Sequence, residues 1–194
     1  LLKERAEQII NLTDGTIKEL KEIDKGVSGT LSIGAITTSG AAFLPATISA
    51  FHNMYPDVNV QIWEGDVGKV FELLDNRVIE IGIIREPFEL LPTYASAKLP
   101  SEQIFTAMRR DRDPSSGVSA DLYLRELENT PILILRRWKG MFIRWCEQVG
   151  FVPQICCESD SIVFNILLAK AGMGVAIVPK YTQSVMSDPT LVYK

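Results

Sequence analysis

The stretch GTLSIGAITTS, residues 29–39, decides the fold of this chain of 194 residues. Its apolar first half predicts a buried strand over residues 30–36, and its hydroxyl-rich second half predicts the loop of a βα unit. Apolar residues at helical spacing then predict a helix over residues 44–55, with Pro45 in its first turn. A strand, a loop and a helix in this order are typical of an α/β domain.

The alternation of strand and helix continues to residue 84. Alternating apolar residues predict a second strand from Val58 to Ile62, and the run from Ile79 to Ile84 predicts a buried third strand. The inward face of the helix between them is predicted to carry Val67, Val70, Phe71 and Leu74. Strands and helices that alternate in this way favour parallel pairing with right-handed crossovers.

A second α/β half follows a segment with little periodicity. Residues 92–119 are rich in proline, serine and glycine and predict a hinge and loops, with one possible strand near residues 103–108. The second half is then predicted to contain a helical turn near 121–127, strands at 132–135, 154–157 and 175–178, and helices at about 141–149 and 161–171.

Residues 1–25 predict a charged amphipathic helix. Its apolar and threonine positions recur at alternating spacings of four and three, the pattern of a coiled-coil seam: Leu2, Ala6, Ile9, Thr13, Thr16, Leu20 and Ile23. The threonines and Gly15 weaken the middle of this seam. Pairing with a second helix is the favoured interpretation, and a lone amphipathic helix on its own domain is the alternative.

Composition and charge exclude several classes of protein. A net charge of −4 and a pI near 5.1 argue against a chain that grips the phosphate backbone of nucleic acid by itself. No apolar run approaches the roughly 20 residues of a membrane span, so we expect no membrane insertion. Three cysteines, two of them adjacent at Cys156 and Cys157, fit a reducing cytoplasm. The start Leu1–Arg5, which lacks Met and a signal pattern, indicates a fragment.

Four stretches of the sequence, taken in order, resemble the effector-binding half of LysR-type transcriptional regulators. They are GTLSIG (29–34) with LP (44–45) and the segment from Phe51 to YPDV (55–58), LLD through IGI (73–83), PILIL (131–135), and the segment from Leu167 through AGMGVAIVP (171–179). Together they extend over about 170 residues. The N-terminal helix resembles the linker helix by which such regulators dimerise.

The resemblance implies an α/β fold of two Rossmann-like subdomains with a hinge, the type-2 periplasmic-binding-protein architecture, preceded by a dimerisation linker helix. The implied divisions are a linker helix over 1–25, subdomain I over 27–97, subdomain II over 98–178, and a return to subdomain I over 179–194, whose closing elements would continue beyond Lys194. It also implies an N-terminal winged helix-turn-helix, which this chain does not contain.

The resemblance further implies the effector-sensing part of a cytoplasmic DNA-binding transcription factor that is not an enzyme. A small metabolite would bind in the cleft between the subdomains, and arginines at two strand ends together with helix N-termini predict that it is anionic. The protein would form homo-oligomers through the N-terminal helix and the subdomain edges. The first alternative is a free-standing solute-binding protein of a transporter, which would need an export signal. The second is an enzyme using Cys157 or Asp160, but with the single histidine His52 catalysis lacks an acid–base partner.

The hydroxyls of Thr37, Thr38 and Ser39 mark the first candidate ligand site. They lie between a predicted strand and a helix N-terminus, where free backbone N–H groups and the helix dipole favour an anion. In the family that the chain resembles, the hydroxyl matching Thr38 commonly touches the effector. Ordinary N-capping by Thr38 or Ser39 is the alternative.

Arg85 follows the third predicted strand and therefore emerges at the same end of the sheet. Its guanidinium could clamp a carboxylate with two parallel hydrogen bonds. An ion pair with Glu86 or Glu89 is the alternative.

The second half offers two more candidate sets. Arg136, Arg137 and Trp138 follow the strand predicted at 132–135, and cations beside an aromatic ring suit an anionic or aromatic ligand; solvated surface charge is the alternative. Ser159 and Ser161 precede a predicted helix, and the resemblance places their loop on the cleft. Plain helix capping also explains these two serines.

No motif for a cofactor or a metal is present. The sequence GMG at 172–174 follows a helix and precedes a strand, the reverse of the dinucleotide-binding order, and it lacks the third glycine. There is no Walker A loop, no zinc-type spacing of Cys and His, and no nucleophile elbow. We therefore expect neither a cofactor nor a metal.

Overall fold

The computed structural model describes residues 3, 5–7, 10, 13, 15, 27–36, 40–41, 43–85, 93–114 and 122–194. The chain divides into two compact units, Leu1–Ala97 and Lys98–Lys194. Each of the described core clusters takes all of its side chains from a single unit. Each unit is therefore an α/β body with its own hydrophobic core.

The first unit is built on a three-stranded parallel sheet. Its elements in chain order are β1 Gly29–Ala35, α1 Leu44–Met54, β2 Val58–Glu64, α2 Val67–Asp75 and β3 Ile81–Ile83. The strand order is β2-β1-β3, and β1 pairs in parallel with both neighbours. This is the parallel arrangement that the alternation of strand and helix predicts.

Two apolar clusters hold the first unit together. The first joins β1 and β3 to α1 and contains Ile33, Ala35, Leu44 and Ile83. The second joins α2 to the segment before β3 and contains Val70, Leu73 and Ile79. A Cβ added at Gly34 would lie 2.3 Å from Ile79 Cδ1, so the second cluster approaches β1 where this strand has no side chain.

The first unit differs from the sequence prediction in three details. Ile62 and Ile81 are exposed, although their patterns predict buried positions, because both lie on the outer strands of the described sheet. The third strand is limited to Ile81–Ile83, since only these residues pair with β1. On α2 the more deeply buried residue is Leu73 and not Phe71.

The second unit is built on a five-stranded mixed sheet. Its elements are β4 Ile104–Arg109, β5 Pro131–Leu135, α3 Lys139–Gln148, β6 Gln154–Ser159, α4 Ile162–Lys170, β7 Val175–Pro179, α5 Thr182–Val185 and β8 Leu191–Tyr193. The order is β6-β5-β7-β4-β8. Strand β5 pairs in parallel with β6 and β7, whereas β4 is antiparallel to β7 and β8.

The central strands and two helices form the core of the second unit. All side chains of β7 are buried, and those of residues 132–135 in β5 have no exposed surface. Helices α3 and α4 add Phe142, Cys146, Ile162, Ile166 and Ala169 to the same cluster. Strands that are apolar along their whole length are typical of a sheet covered on both faces.

The last residues of the chain differ from their predicted place. The sequence predicts that residues 179–194 return to the first subdomain, but the structure assigns them to the second unit. The physical reason is the pairing of β8 with β4. The Thr106 N–H donates to the Lys194 oxygen at 2.7 Å, and the Lys194 N–H donates to the Thr106 oxygen at 3.2 Å.

In the N-terminal segment, the described residues Lys3, Arg5–Glu7, Ile10, Thr13 and Gly15 are helical. Two residues of the predicted seam are among them, Ala6 and Thr13, and both are exposed. The remaining seam residues lie outside the described part of the chain: Leu2, Ile9, Thr16, Leu20 and Ile23. Among the residues that the structure describes, no helix is long and apolar enough to cross a membrane.

Candidate functional site

The carboxyl ends of three strands meet at one edge of the second unit's sheet. Strands β5, β6 and β7 run parallel, and their ends are followed by Arg136, Asp160 and Lys180. Because β4 runs antiparallel to β7, the residue before its start, Gln103, lies at the same edge. Open α/β sheets bind ligands at this edge. The surface formed by Arg136, Ser159–Ser161, Lys180 and Gln103 is called the second-unit edge.

A charge network holds Arg136 at this edge. The Lys139 Nζ donates to Glu158 Oε1 at 2.5 Å. Arg136 makes two longer contacts, Nη1 to Glu158 Oε2 at 3.7 Å and Nε to Asp160 Oδ1 at 3.5 Å, and its side chain is 60% exposed. Exposed ion pairs contribute little to stability, about 0–1 kcal/mol. A ligand carboxylate could therefore replace Asp160 on Arg136 at small cost.

The structure differs from the sequence prediction at Trp138. Arg136 and Arg137 are exposed, but Trp138 is only 4% exposed and belongs to the core of the second unit. The three residues form one 3-10 turn, in which successive side chains point about 120° apart. The turn directs two cations outward and the indole inward, into the core of the second unit.

Ser159 and Ser161 come together at the N-terminus of α4. The Ser159 hydroxyl lies 2.9 Å from the Ser161 oxygen, its acceptor, and accepts the Ser161 N–H at 3.3 Å. The Ser161 hydroxyl caps the helix by accepting the Phe164 N–H at 3.3 Å. Both hydroxyls thus serve the loop and the helix cap, which is the alternative that the sequence left open for this loop.

Two polar residues of this region were missed by the sequence analysis. Lys180 follows β7, with its Nζ 2.8 Å from Gln103 Oε1 and 5.5 Å from the centre of the Phe105 ring. The argument that selected Arg136, a cation directly after a buried strand, would also have selected Lys180. Asn165 lies inside α4, and its only sequence signal is an amide in an otherwise apolar helix.

Arg85 lies at the corresponding edge of the first unit. Ala35, Glu64 and Ile83 end the three strands of that sheet and are aligned with one another. Arg85 follows two residues after Ile83 and is half-buried. Its predicted position at the carboxyl end of the sheet agrees with this placement, and its alternative partners Glu86 and Glu89 lie outside the described residues.

The hydroxyl-rich loop of the first unit lies outside the described residues, so Thr37, Thr38 and Ser39 stay a prediction. The residues that flank it are described. The Ile36 N–H donates to the Ile83 oxygen at 3.1 Å, and the Gly40 N–H donates to the Ile36 oxygen at 3.1 Å. The chain on both sides of the loop is therefore held at the carboxyl end of β1.

The residues considered for catalysis have ordinary structural environments. Cys157 packs against the core, His52 is exposed on α1, and Asp160 contacts Arg136. Cys156 lies at an irregularity of the β5–β6 pairing with its Sγ 3.4 Å from the Ile132 oxygen, and burial raises the pKa of its thiol. A thiol with a raised pKa is a poor nucleophile. Within the described ranges, no cluster of three or more His, Cys, Asp or Glu residues could hold a metal.

An open groove of about 770 Å³ lies at the other end of α3. It is lined by Tyr123, Leu124, Arg125, Glu147, Gln148, Val149 and Gly150. None of the predicted site residues lines it, and it lies at the C-terminus of α3, whereas Lys139 of the charge network begins that helix. The groove therefore does not contribute to the second-unit edge.

Comparison with protein families gives a match over most of the chain. Residues 24–194 match the family model described as the LysR substrate binding domain. Among curated proteins, the chain is 29% identical over 175 residues to the uncharacterized HTH-type transcriptional regulator YvbU of Bacillus subtilis, which covers 89% of this chain and 58% of the relative. It is 28% identical to the HTH-type transcriptional regulator BudR of Raoultella terrigena, with 89% and 61% covered.

A third relative, the HTH-type transcriptional regulator AlsR of Bacillus subtilis, is 27% identical over 80% of this chain and 52% of its own length. The chain thus spans between 52% and 61% of the length of these three regulators.

Solved structures agree on the fold. CbnR, a LysR family transcriptional regulator, has a TM-score of 0.79 at 20% identity, with 98% of this chain and 66% of that chain covered.

The BenM effector binding domain with its effector benzoate has a TM-score of 0.73 at 20% identity, with 84% of this chain and 75% of that chain covered. These likenesses confirm the predicted architecture of two Rossmann-like α/β subdomains of the type-2 periplasmic-binding-protein kind. They also agree with the four sequence stretches from which the resemblance was drawn.

Proposed function

Because the chain belongs to the LysR substrate-binding domain family, we propose that it is the effector-sensing part of a DNA-binding transcription factor. The observation that carries this proposal is the family match over residues 24–194, which includes both α/β units. The curated relatives are named as transcriptional regulators, and this favours a regulator over a transporter's solute-binding protein or an enzyme.

The proposed effector is a small anionic metabolite that binds at the carboxyl edges of the two sheets. The proposed contacts are Thr37, Thr38, Ser39 and Arg85 in the first unit, and Arg136, Arg137, Ser159 and Ser161 in the second. The N-terminus of α4 favours the binding of an anion, because its first N–H groups and the helix dipole attract negative charge. The solved neighbour BenM, whose effector is the carboxylate benzoate, is a further support for this class of ligand.

Arg136 and Lys180 are the cations that support this proposal in the second unit. Among the described residues, Arg136 makes long ion-pair contacts of 3.7 Å to Glu158 and 3.5 Å to the exposed Asp160, so it can exchange Asp160 for a ligand. A bidentate pair between a guanidinium and a ligand carboxylate is stronger than these contacts. Lys180 adds positive charge beside Gln103 at the end of β7. Trp138 is left out of the proposed contacts because it is buried.

The proposed partners are DNA and further copies of the chain. DNA would be held by a winged helix-turn-helix elsewhere in the whole protein, and the names of the relatives, HTH-type transcriptional regulators, support a helix-turn-helix. A net charge of −4 argues against this chain gripping the phosphate backbone of DNA by itself. The proposed location is the cytoplasm, where the regulator meets DNA. Oligomers would form through the N-terminal helix and the edges of the units.

An exposed apolar face on α4 supports the proposed contact between copies of the chain through the units. Val163, Phe164 and Leu167 are exposed on one side of the helix, while its other side is buried in the core. Contiguous apolar surface of this kind marks interaction sites more often than free surface. We therefore place a contact between copies on this face of α4.

The test of the proposed function begins with the coding DNA upstream of the codon for Leu1. We expect it to encode a winged helix-turn-helix, and we expect the full-length protein to protect a promoter site in a footprinting experiment, with a pattern that changes on addition of effector. A secretory signal in place of that domain, with a charged start and a short apolar stretch, would contradict the proposal and support a solute-binding protein.

A further inference from the structure

A carboxamide is buried at the N-terminus of α4. Asn165 lies four residues after the cap residue Ser161, and its side chain is 0% exposed. Its Oδ1 accepts the Ser159 hydroxyl at 2.7 Å. Its Nδ2 is also buried and, among the residues that the structure describes, has no hydrogen-bond partner. Burying an amide N–H without an acceptor is costly, so this group requires an explanation.

Turning the amide does not remove the unmatched group. The Ser159 hydroxyl has one proton, and two oxygens lie within reach of it, Asn165 Oδ1 at 2.7 Å and the Ser161 oxygen at 2.9 Å. With the carboxamide rotated by 180°, Nδ2 would donate to Ser159, and Ser159 would donate to Ser161. The second proton of Nδ2 would still have no acceptor among the described residues, and Oδ1 would have no donor. In both orientations an N–H group of Asn165 is unused.

Another buried polar residue of the same unit is fully matched. Thr182 is 1% exposed, and its hydroxyl donates to the Pro179 oxygen at 2.7 Å. Thr182 shows how this fold satisfies a buried donor within itself. Asn165 differs from Thr182 because its buried N–H donor has no acceptor among the described residues. It lies at the second-unit edge, beside Ser159 and the capped end of α4.

We propose that Asn165 is a ligand-binding residue of the second-unit edge, and that its Nδ2 donates a hydrogen bond to an acceptor oxygen of the effector, a carboxylate or carbonyl oxygen. Ser159, whose hydroxyl contacts the amide oxygen, is itself only half-buried, so the carboxamide lies one side chain away from the surface of the edge. The free N–H groups of α4 and the guanidinium of Arg136 lie at the same edge and favour the same ligand group.

This inference rests on the proposed function and adds a selectivity to it. A site with a buried, unused donor rejects a ligand that lacks the matching acceptor, because the donor then stays unpaired. The effector is therefore expected to carry an oxygen acceptor that enters the edge beside Ser159. An apolar analogue of the same shape is expected to bind at least tenfold more weakly.

The first experiment measures thermal unfolding of the full-length protein without ligand. Asn165→Leu replaces the amide by an apolar side chain of similar size and is expected to raise the Tm by roughly 2–4 °C, because the unmatched donor is removed. The matched control, Thr182→Val, removes a donor that has its acceptor and is expected to lower the Tm. An unchanged or lower Tm for Asn165→Leu would overturn the inference, since the amide would then make stabilising bonds in the free protein.

The second experiment titrates benzoate, succinate and citrate into the wild-type protein by calorimetry and repeats the tightest of them with the variants. Asn165→Leu is expected to weaken binding at least tenfold, and Thr182→Val to leave it unchanged. Asn165→Asp keeps the shape but removes both N–H groups, and it is expected to weaken binding further because it opposes a carboxylate with another. Equal affinity of wild type and Asn165→Leu would overturn the inference and leave the proposed function standing. Absence of binding by all three acids to the wild type would contradict the anionic effector and this inference together.

Discussion

Asp188 is the residue that ties β8 to α4. Its carboxylate accepts Lys170 Nζ at 2.5 Å, the Thr190 N–H at 2.9 Å and the Thr190 hydroxyl at 2.5 Å. These donors, Lys170 first, lower the pKa of Asp188 to about 2. The ionised form of Asp188 therefore stabilises the folded chain.

The pH dependence of stability tests this role of Asp188. Its folded-state pKa lies below the value of about 3.9 expected in the unfolded chain, so its contribution is present above pH 4 and is lost as the pH falls from about 4 to about 2. Asp188→Asn is expected to lower the urea midpoint at pH 6 and to differ little from wild type near pH 2.5. Glu72→Gln, which affects only an exposed pair with Lys69, is the control. An effect of Asp188→Asn that is equal at both pH values would contradict the ion-pair explanation.

The positions of residues that directly follow buried strands were predictable from the sequence. The roles of residues that depend on a single hydrogen bond were not. Arg85 and Arg136 were selected because a strand end fixes where the next side chain emerges. The burial of Trp138 was not predictable because the 3-10 turn that directs its ring inward has no clear sequence signal. The link between Asn165 and Ser159 joins a helix to a strand end, and local patterns do not encode such a contact.

Helix α4 has apolar side chains on its exposed side as well as on the side that faces the core of its unit. The buried side contains Ile162, Ile166 and Ala169, together with Asn165. The exposed side contains Val163, Phe164 and Leu167. Because exposed apolar side chains on a helix favour contact with another surface, we expect this side of α4 to be covered in the assembled protein.

Substitutions on the exposed side of α4 test its role in assembly. Val163→Glu is expected to shift the full-length protein to a smaller assembly in light scattering, with little change in Tm, because the residue has no role in the core. Val152→Glu changes another exposed valine, in the loop before β6, and is expected to leave the mass unchanged. Equal masses for Val163→Glu and wild type would exclude this face as a contact between copies.

The start of β7 depends on close approach to β5. A Cβ added at Gly174 would lie 2.4 Å from the Pro131 oxygen, a backbone atom that cannot rotate away. Gly174→Ala is therefore expected to lower the free energy of unfolding by about 1–3 kcal/mol in urea titrations. The control is Gly140→Ala in α3, where the nearest neighbour of the new Cβ is 3.7 Å away, and it is expected to be neutral or stabilising by up to about 1 kcal/mol. Equal stabilities of the two variants would contradict the close strand contact.

The existence and order of the elements were predictable, but several of their ends were not. Periodicity found the strands and helices of both units because one face or both faces of each are buried. Strand ends depend on the pairing partner, which is why β3 is shorter and β6 longer than their patterns predict. The pairing of β8 with β4 joins residues more than 80 positions apart in the sequence. This pairing holds the end of the chain, within residues 179–194, in the second unit.

At the scale of the whole molecule, each unit presents the carboxyl ends of parallel strands with a cation beside them. Arg85 follows β3 in the first unit, and Arg136 and Lys180 follow β5 and β7 in the second. The order of four sequence stretches was enough to predict this architecture, and the family match agrees with it. The architecture does not identify the ligand, because ligand selectivity depends on individual hydrogen bonds at the sheet edges.

Effector binding through the two strand ends is measured by calorimetric titration of the full-length protein with its tightest small carboxylate ligand. Arg85→Ala and Arg136→Ala are each expected to weaken binding at least tenfold, about 1.4 kcal/mol, because each removes a cation at one sheet edge. Arg144→Ala, an exposed arginine on α3, is expected to bind as the wild type does. Unchanged affinity in both edge variants would contradict effector sensing through these strand ends.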